Sequence, residues 1–527
     1  MTGSSAMGAM RSRWAALAAT VLWALSACTL EPRYRPPQLP VPDQWPIPAT
    51  ISGSATDNSG APSSEPAANA GDAGGSAATT AATATPTATA GAAAMAATVA
   101  AWDIGWRDFF ADARLQQLVA QALANNRDLR VAVLNIQLAR AQYRVQRANL
   151  LPPINASAAY TKEKLPAVVT GLPYSITESY YQAGVGITSF ELDLFGRVRS
   201  LTHAALDQYL AQEQARRSAQ LSLIAAVADA YLTLASDREL QRLAQDTLKN
   251  QEASFALTQK RHAIGAVSGL DLAQAQTTVE SARADAARYE GNIAQDIDAL
   301  VLLVGAPVDA RLLPQDFDAN TIGLQALPAG LPSAVLLRRP DVLQAEYQLR
   351  SASADIGAAR AAFFPAISLT GTIGSASPAL SSLFHSGTGT WSFVPQATLP
   401  LFHGGQLIGN LAVARTERDI AVAQYEKAIQ ASFREVADAL ALTPTLERQR
   451  RAQESLVDAA RRTYELSEQR YKAGTDSYLT LLDAQRSLYG AQQGLIATRL
   501  AQQNNRVSLY KALGGGWQEH NPPAANP

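Results

Sequence analysis

The residue types able to do chemistry are few in this chain and do not converge. Its five histidines, His203, His262, His385, His403 and His520, are scattered, with no pair at the spacing that zinc motifs such as HExxH require. Gly514-Gly515-Gly516 lacks the Lys-Ser or Lys-Thr that completes a phosphate-binding loop, and reads instead as a helix stop. After Cys28 the sole methionine is Met95, so a thioether relay for copper or silver has no residues to use. Neither an enzyme nor a resident metal or cofactor is expected. The one thiol, Cys28, has no second cysteine to pair with, and what precedes it sets its chemistry.

Arg11 and Arg13 are followed by the apolar run WAALAATVLWAL at 14–25, the layout of a secretory leader. Twelve residues fall short of the roughly 20 that a transmembrane helix needs, and no later stretch has 18 consecutive apolar residues. Leu25-Ser26-Ala27-Cys28 resembles the bacterial lipoprotein signal, in which residues 1–27 are removed and the new terminal cysteine is acylated. The alternative is a cysteine discarded with an ordinary leader. Thr29, where an Asp would retain a lipoprotein at the inner membrane, fits sorting to the outer membrane. The lipid on Cys28 is the only covalent group expected. Cleavage takes away two arginines and no acids, leaving a net charge of −3.

A chain of 527 residues exceeds the roughly 250 to 300 at which a single core stops growing, so several modules or a duplication are expected. Lys plus Arg is 44 and Asp plus Glu is 45, which gives no basic surplus for nucleic acid. Aromatics are only 7% while alanine is abundant, a composition suited to long helices packed through small side chains. Residues 28–48 are proline-dense and read as an extended tether. Residues 49–100 are nearly all Ala, Thr, Ser, Gly and Pro, too poor in apolar side chains to offset ordering entropy. This insert reads as a disordered extension of the tether or as a glycosylated stalk.

Beyond residue 100 the chain repeats itself. Asn126-Arg127-Asp128 answers Arg339-Pro340-Asp341, and RANLLPPI at 147–154 answers RAAFFPAI at 360–367, both 213 residues apart. Val227-Ala228-Asp229-Ala230 recurs as Val436-Ala437-Asp438-Ala439, Gly265 as Gly474, Ser268 as Ser477 and Gly305 as Gly514, all 209 apart. The expected layout is a first repeat at 101–308, a linker at 309–330, a second repeat at 331–517 and a tail at 518–527.

Each repeat opens with a helix of about 30 residues, ended by Pro152-Pro153 or Pro365. Alternation then predicts strands: Ile367, Leu369, Gly371 and Ile373 against Ser368, Thr370 and Thr372, with a return run through Trp391 and Phe393, and counterparts at 154–160 and 181–190. Four strands of about ten residues, apolar on one side, suit a membrane barrel. They cannot close one alone, and lipid tolerates no open sheet edge, so other copies must complete it. Helices at about 202–261 and 410–470 follow, and at about 1.5 Å per residue each spans on the order of 90 Å. Leu221, Ile224, Ala228, Tyr231 and Ala235, and Ile429, Phe433, Val436 and Leu440, keep the spacing of a packing seam. Pro444 is expected to bend or break the second long helix.

With the duplication, LDLFGR at 192–197, LFHGG at 401–405 and QRYKAGTDSYLTLLDAQRSL at 469–488, the chain from about 100 to 517 resembles the TolC-like outer membrane factors, in their lipoprotein branch that serves resistance-nodulation-division pumps. The resemblance implies a mixed fold in which three copies close one 12-stranded outer-membrane β-barrel and their long antiparallel helices form a periplasmic α-barrel. It implies an exit duct that passes small toxic compounds unchanged, a periplasmic adaptor and an inner-membrane pump as partners, and outer-membrane lipid around it. It puts Gly265 and Gly474 in the helix turns at the narrow periplasmic end, Asp483 in a ring of carboxylates at the constriction, and Asp271 and Tyr471 in a hydrogen bond that holds the closed state. Asp476 and Thr480 stand where TolC has an arginine and a second acidic residue, so the gate chemistry differs in detail. A periplasmic adaptor also joins long helices to strands, but usually has one helical hairpin; a type I secretion duct of the same fold is a sibling reading.

Overall fold

The computed structural model describes residues 29–42, 45, 104–317 and 333–521. The expected leader, Cys28, the insert at 49–100, most of the linker and the last residues of the tail lie outside these. After the short helix α1 (Trp106–Phe109) come α2 (Ala113–Asn125), α3 (Arg127–Ala148), β1 (Ile154–Leu165), the single turn α4 (Ala167–Thr170), β2 (Ile176–Leu192), α5 (Arg197–Ala263) and α6 (Gly269–Val304). The second half repeats this order with α7 (Pro340–Ala361), β3 (Ala366–Ser377), β4 (Gly389–Thr398), α8 (Gln406–Lys472) and α9 (Tyr478–Ala512).

The opening helices α3 and α7 are each 22 residues long, shorter than expected. Asn126 caps the N-terminus of α3 by accepting from the Leu129 amide, and Pro340 begins α7 where its missing N–H costs nothing. Both long helices run to 67 residues. Pro444 does not break α8. The Thr443 hydroxyl and the Asn505 amide donate to the Ala439 carbonyl, and the Thr445 hydroxyl to that of Leu442, so side chains serve the backbone around the proline. Residues of α5 include one stretch apolar enough, by length and composition, to cross a membrane, but it is more than half buried within the molecule. It is packing surface, and Leu221, Ile224, Ala228, Tyr231 and Ala235 are all buried.

The chain divides into two compact units. One gathers residues 29–42, 123–223 and 334–433. Its four strands form one antiparallel sheet in the order β1-β2-β3-β4, which leaves β1 and β4 as edges. Cross-strand register puts Ile154, Ala156, Tyr160, Val185, Ile373, Trp391 and Phe393 on one face, and Asn155, Ser157, Gln182, Thr372, Ser392 and Gln396 on the other. Ile373 is 71% and Trp391 79% exposed. A bulge between Ile187 and Phe190, with Ser189 at φ 53°, ends the regular part of β2. The turn into α5 is then fixed by Arg197, which grips the Glu191 carboxylate with two hydrogen bonds, and by the Arg199 amide on Asp193.

In the same unit residues 30–41 form a strap without helix or strand of its own. Arg360 donates to the Leu30 carbonyl, His203 pairs with Glu31 at 2.9 Å, and the Tyr34 hydroxyl donates to Glu346. Tyr34, Leu39 and Val41 pack on Val342, Leu349, Tyr425 and Ile429. Gly357 is required beneath the strap, since a Cβ there would lie 2.8 Å from the Glu31 Cα.

The other unit holds 104–122, 224–317 and 434–521 with Trp45. Phe109 stacks on Tyr510 at 3.7 Å between ring centroids, the Tyr231 hydroxyl donates to Asp112, and the Trp106 and Arg107 amides donate to the carbonyls of Gln518 and Glu519. At the helix turns of this unit, Ala275, Tyr478, Leu481 and Leu482 form a buried cluster with Phe255, Tyr464 and Tyr471, so the hairpin α5–α6 packs on α8–α9.

Candidate functional site

The two hairpin turns are built alike. At the first, the Gly265 amide donates to the His262 carbonyl and the Ala266 amide to that of Arg261; at the second, Gly474 donates to Tyr471 and Thr475 to Arg470. Both are Schellman closures, which need a left-handed residue, and Gly265 at φ 72° and Gly474 at φ 76° supply it. Three residues on, Ser268 and Ser477 cap the return helices α6 and α9. The last turn of α5 carries Lys260, Arg261 and His262 and that of α8 carries Arg470 and Lys472, charges that suit a helix C-terminus.

The turns then diverge. Ser268 and Asp271 form a reciprocal capping box: the Asp271 amide donates to the Ser268 hydroxyl oxygen at 3.1 Å, and the Ser268 amide and hydroxyl donate to the Asp271 carboxylate at 3.2 and 2.8 Å. Among the described residues of this single copy, Asp271 bonds Ser268 and no hydrogen bond joins it to Tyr471. The Tyr471 ring lies 5.5 Å from that of Tyr478, with the Arg261 guanidinium 5.4 Å from its centroid. Burial raises the Tyr478 hydroxyl above the usual phenol range. Thr480, the counterpart of Asp271, offers a hydroxyl 3.1 Å from that of Ser477 in place of a carboxylate.

Asp476 works within its own turn. Arg470 grips its carboxylate with two hydrogen bonds of 2.7 and 2.9 Å and holds it below the usual carboxylate range. The first turn has Val267 at the corresponding place, and Arg261 there faces Tyr471 instead. Asp483 is exposed on α9 between buried Leu482 and Ala484, and no hydrogen bond or ion pair engages it among the described residues. A free carboxylate on the far side of the helix from its packing cluster can act on whatever lies opposite. The resemblance pointed to these residues at the two turns but missed Arg470 and Arg261; the Ser-x-x-Asp spacing at 268–271 is the signal that would have found the capping box.

A sheet with one exposed apolar face, joined to helices far longer than a globular core needs, defines a channel-forming protein of the outer membrane. The chain belongs to the outer membrane efflux protein family, whose model matches residues 118–306 and 331–515. It is similar to the toluene efflux pump outer membrane protein TtgC of Pseudomonas putida, with 45% identity over 503 residues, 95% of each chain. A membrane protein from Pseudomonas aeruginosa of known crystal structure is 40% identical with a TM-score of 0.80, covering 93% of this chain and 98% of that one. The open state of the Neisseria gonorrhoeae MtrE outer membrane channel is 36% identical with a TM-score of 0.77, covering 94% and 100%.

Proposed function

We propose that this chain is the exit duct of a tripartite efflux system, anchored through a lipid on Cys28 and working as a homotrimer with a periplasmic adaptor and an inner-membrane resistance-nodulation-division pump. The observation that carries this reading is the four-stranded sheet with bare edges and an exposed apolar face. Lipid requires those edges to be paired, and three copies give twelve strands, polar on the lumen side. The strap is consistent with such an anchor: the Leu30 carbonyl accepts a hydrogen bond from Arg360, just ahead of β3, so the first described residues run beside the base of the strands.

The cargo is small toxic organic compounds, with aromatic solvents included on the strength of the toluene efflux relative. The duct transforms nothing and lets cargo pass. The turns at Gly265 and Gly474 form the gate, with Asp271 and Tyr471 on facing hairpins, Asp476 clamped by Arg470, and Asp483 giving one carboxylate per copy to a ring at the constriction. Such a ring repels itself and attracts cations.

Native mass of protein extracted from outer membranes by detergent tests the reading. A trimer that conducts in planar bilayers is expected. A monomer released without detergent overturns it.

A further inference from the structure

Both bare edges of the sheet carry, at one end, apolar surface that the chain itself does not cover. Just after β4, Leu401 and Phe402 are each 89% exposed. Just before β1, Leu151, Pro152 and Pro153 line a groove of about 700 Å³ together with Phe190, Val198 and Leu201. β1 follows α3 and β4 precedes α8, so these two features belong to the same, helix-joined end of the sheet, on opposite edges.

We infer that β4 of one copy pairs with β1 of the next in one register, Gly389 against Lys164 and Thr398 against Asn155, and that this register seats Phe402 beside Leu151 in the groove of the next copy. The inference rests on the trimer reading. β1 leaves helix and β4 returns to it, so the pairing is antiparallel. Directly opposed residues share a face. The apolar face takes even-numbered residues in β1 (Ile154, Ala156, Tyr160) and odd-numbered ones in β4 (Trp391, Phe393). A slip of one residue would turn the apolar face of one copy into the lumen of the next, so allowed registers differ by two. Only one of them lays all ten residues of β4 against β1. Two residues to one side, Thr398 would face Pro153; to the other, Gly389 would face Pro166, and proline donates no ladder hydrogen bond. In the remaining register Ser392 faces Thr161 and Phe393 faces Tyr160. Continued past Thr398, it brings Leu401 and Phe402 alongside Pro152 and Leu151.

Cysteine pairs in the full chain test this. Thr161→Cys with Ser392→Cys, and Leu151→Cys with Phe402→Cys, are expected to give disulfide-linked dimers and trimers on denaturing gels after mild oxidation. Glu163→Cys with Ser392→Cys, two residues out of register, is expected to give few or none. Within one chain β1 and β4 lie three strand spacings apart, roughly 14 Å at about 4.8 Å each, beyond the roughly 7 Å Cα reach of a disulfide, so every such bond must join two copies. Phe402→Ala should also lower the temperature at which the trimer dissociates. A native trimer in which the 163/392 pair links better than 161/392, or in which 151/402 does not link, overturns the inference and leaves the trimer standing. A monomer by native mass overturns both.

Discussion

Replacing Gly265 or Gly474 with alanine isolates the backbone cost of the hairpin turns. An added Cβ would meet nothing within 4 Å at either position, so sterics outside the residue contribute nothing. The whole penalty is that of holding a non-glycine residue at φ 72° or 76°, about 1 to 2 kcal/mol. That is a factor of roughly 5 to 30 in the local opening equilibrium. Gly269 provides the opposite sign four positions after Gly265: it begins α6 without a left-handed φ, and its Cβ would sit 3.9 Å from the His262 ring. Alanine there should stabilise by about 0.5 to 1 kcal/mol through the unfolded chain. Amide exchange followed by mass spectrometry on detergent-solubilised protein reads both. Peptides covering 264–268 and 473–477 should exchange faster in Gly265→Ala and Gly474→Ala, through the amides of Ala266 and Thr475 that close the turns, and the α6 start should exchange more slowly in Gly269→Ala. Equal exchange in all three variants would refute the assignment of the turn energy to glycine.

In planar bilayers Asp483→Asn should weaken cation preference, and unchanged ion selectivity would remove Asp483 from the constriction. Asp271→Asn and Tyr471→Phe should each raise basal leak, and because Asp271 bonds Ser268 and not Tyr471, their effects should add within about 0.5 kcal/mol in a double-mutant cycle; stronger coupling would mean that the two groups bond in the working trimer. Burial pushes Asp229 up to about 6, with Lys511 pulling it partly back. The folded state then holds this proton more tightly than the unfolded one, so its contribution to stability is present below about pH 4 and lost as pH rises through about 6. Asp229→Asn should therefore raise the melting temperature more at pH 7 than at pH 5, by a gain of at most on the order of 3 kcal/mol at neutral pH, and a gain independent of pH would contradict the assignment.

Much of the fold was legible because periodicity reports directly on burial. The alternation through Ile367 to Ile373 marked β3, and the seam at Leu221, Ile224 and Ala228 marked a buried stripe of α5. That α8 runs on through Pro444 was not legible, since a helix of 67 residues can bear the loss of the one backbone hydrogen bond that the proline removes. At the turns, the resemblance pointed to Gly265 and Gly474, which the repeat offset had already matched to each other. The ion pair of Arg470 with Asp476 was not legible, because six residues separate them and only the turn geometry folds one onto the other. The place of Asp271 in a capping box follows from local sequence, whereas the position of the Tyr471 ring between Arg261 and Tyr478 depends on how two hairpins distant in sequence pack.

The strap has a consequence for the order in which the molecule is made. Its residues are synthesised and exported first, yet Tyr34 docks on Glu346, 312 residues downstream, and its seat includes Tyr425 and Ile429. His203 aside, that seat does not exist until most of the chain has crossed the inner membrane and folded. Contacts this distant in sequence form late, so the first segment to emerge is among the last to settle, and a protease-resistant strap reports that the chain as far as Ile429 has folded beneath it.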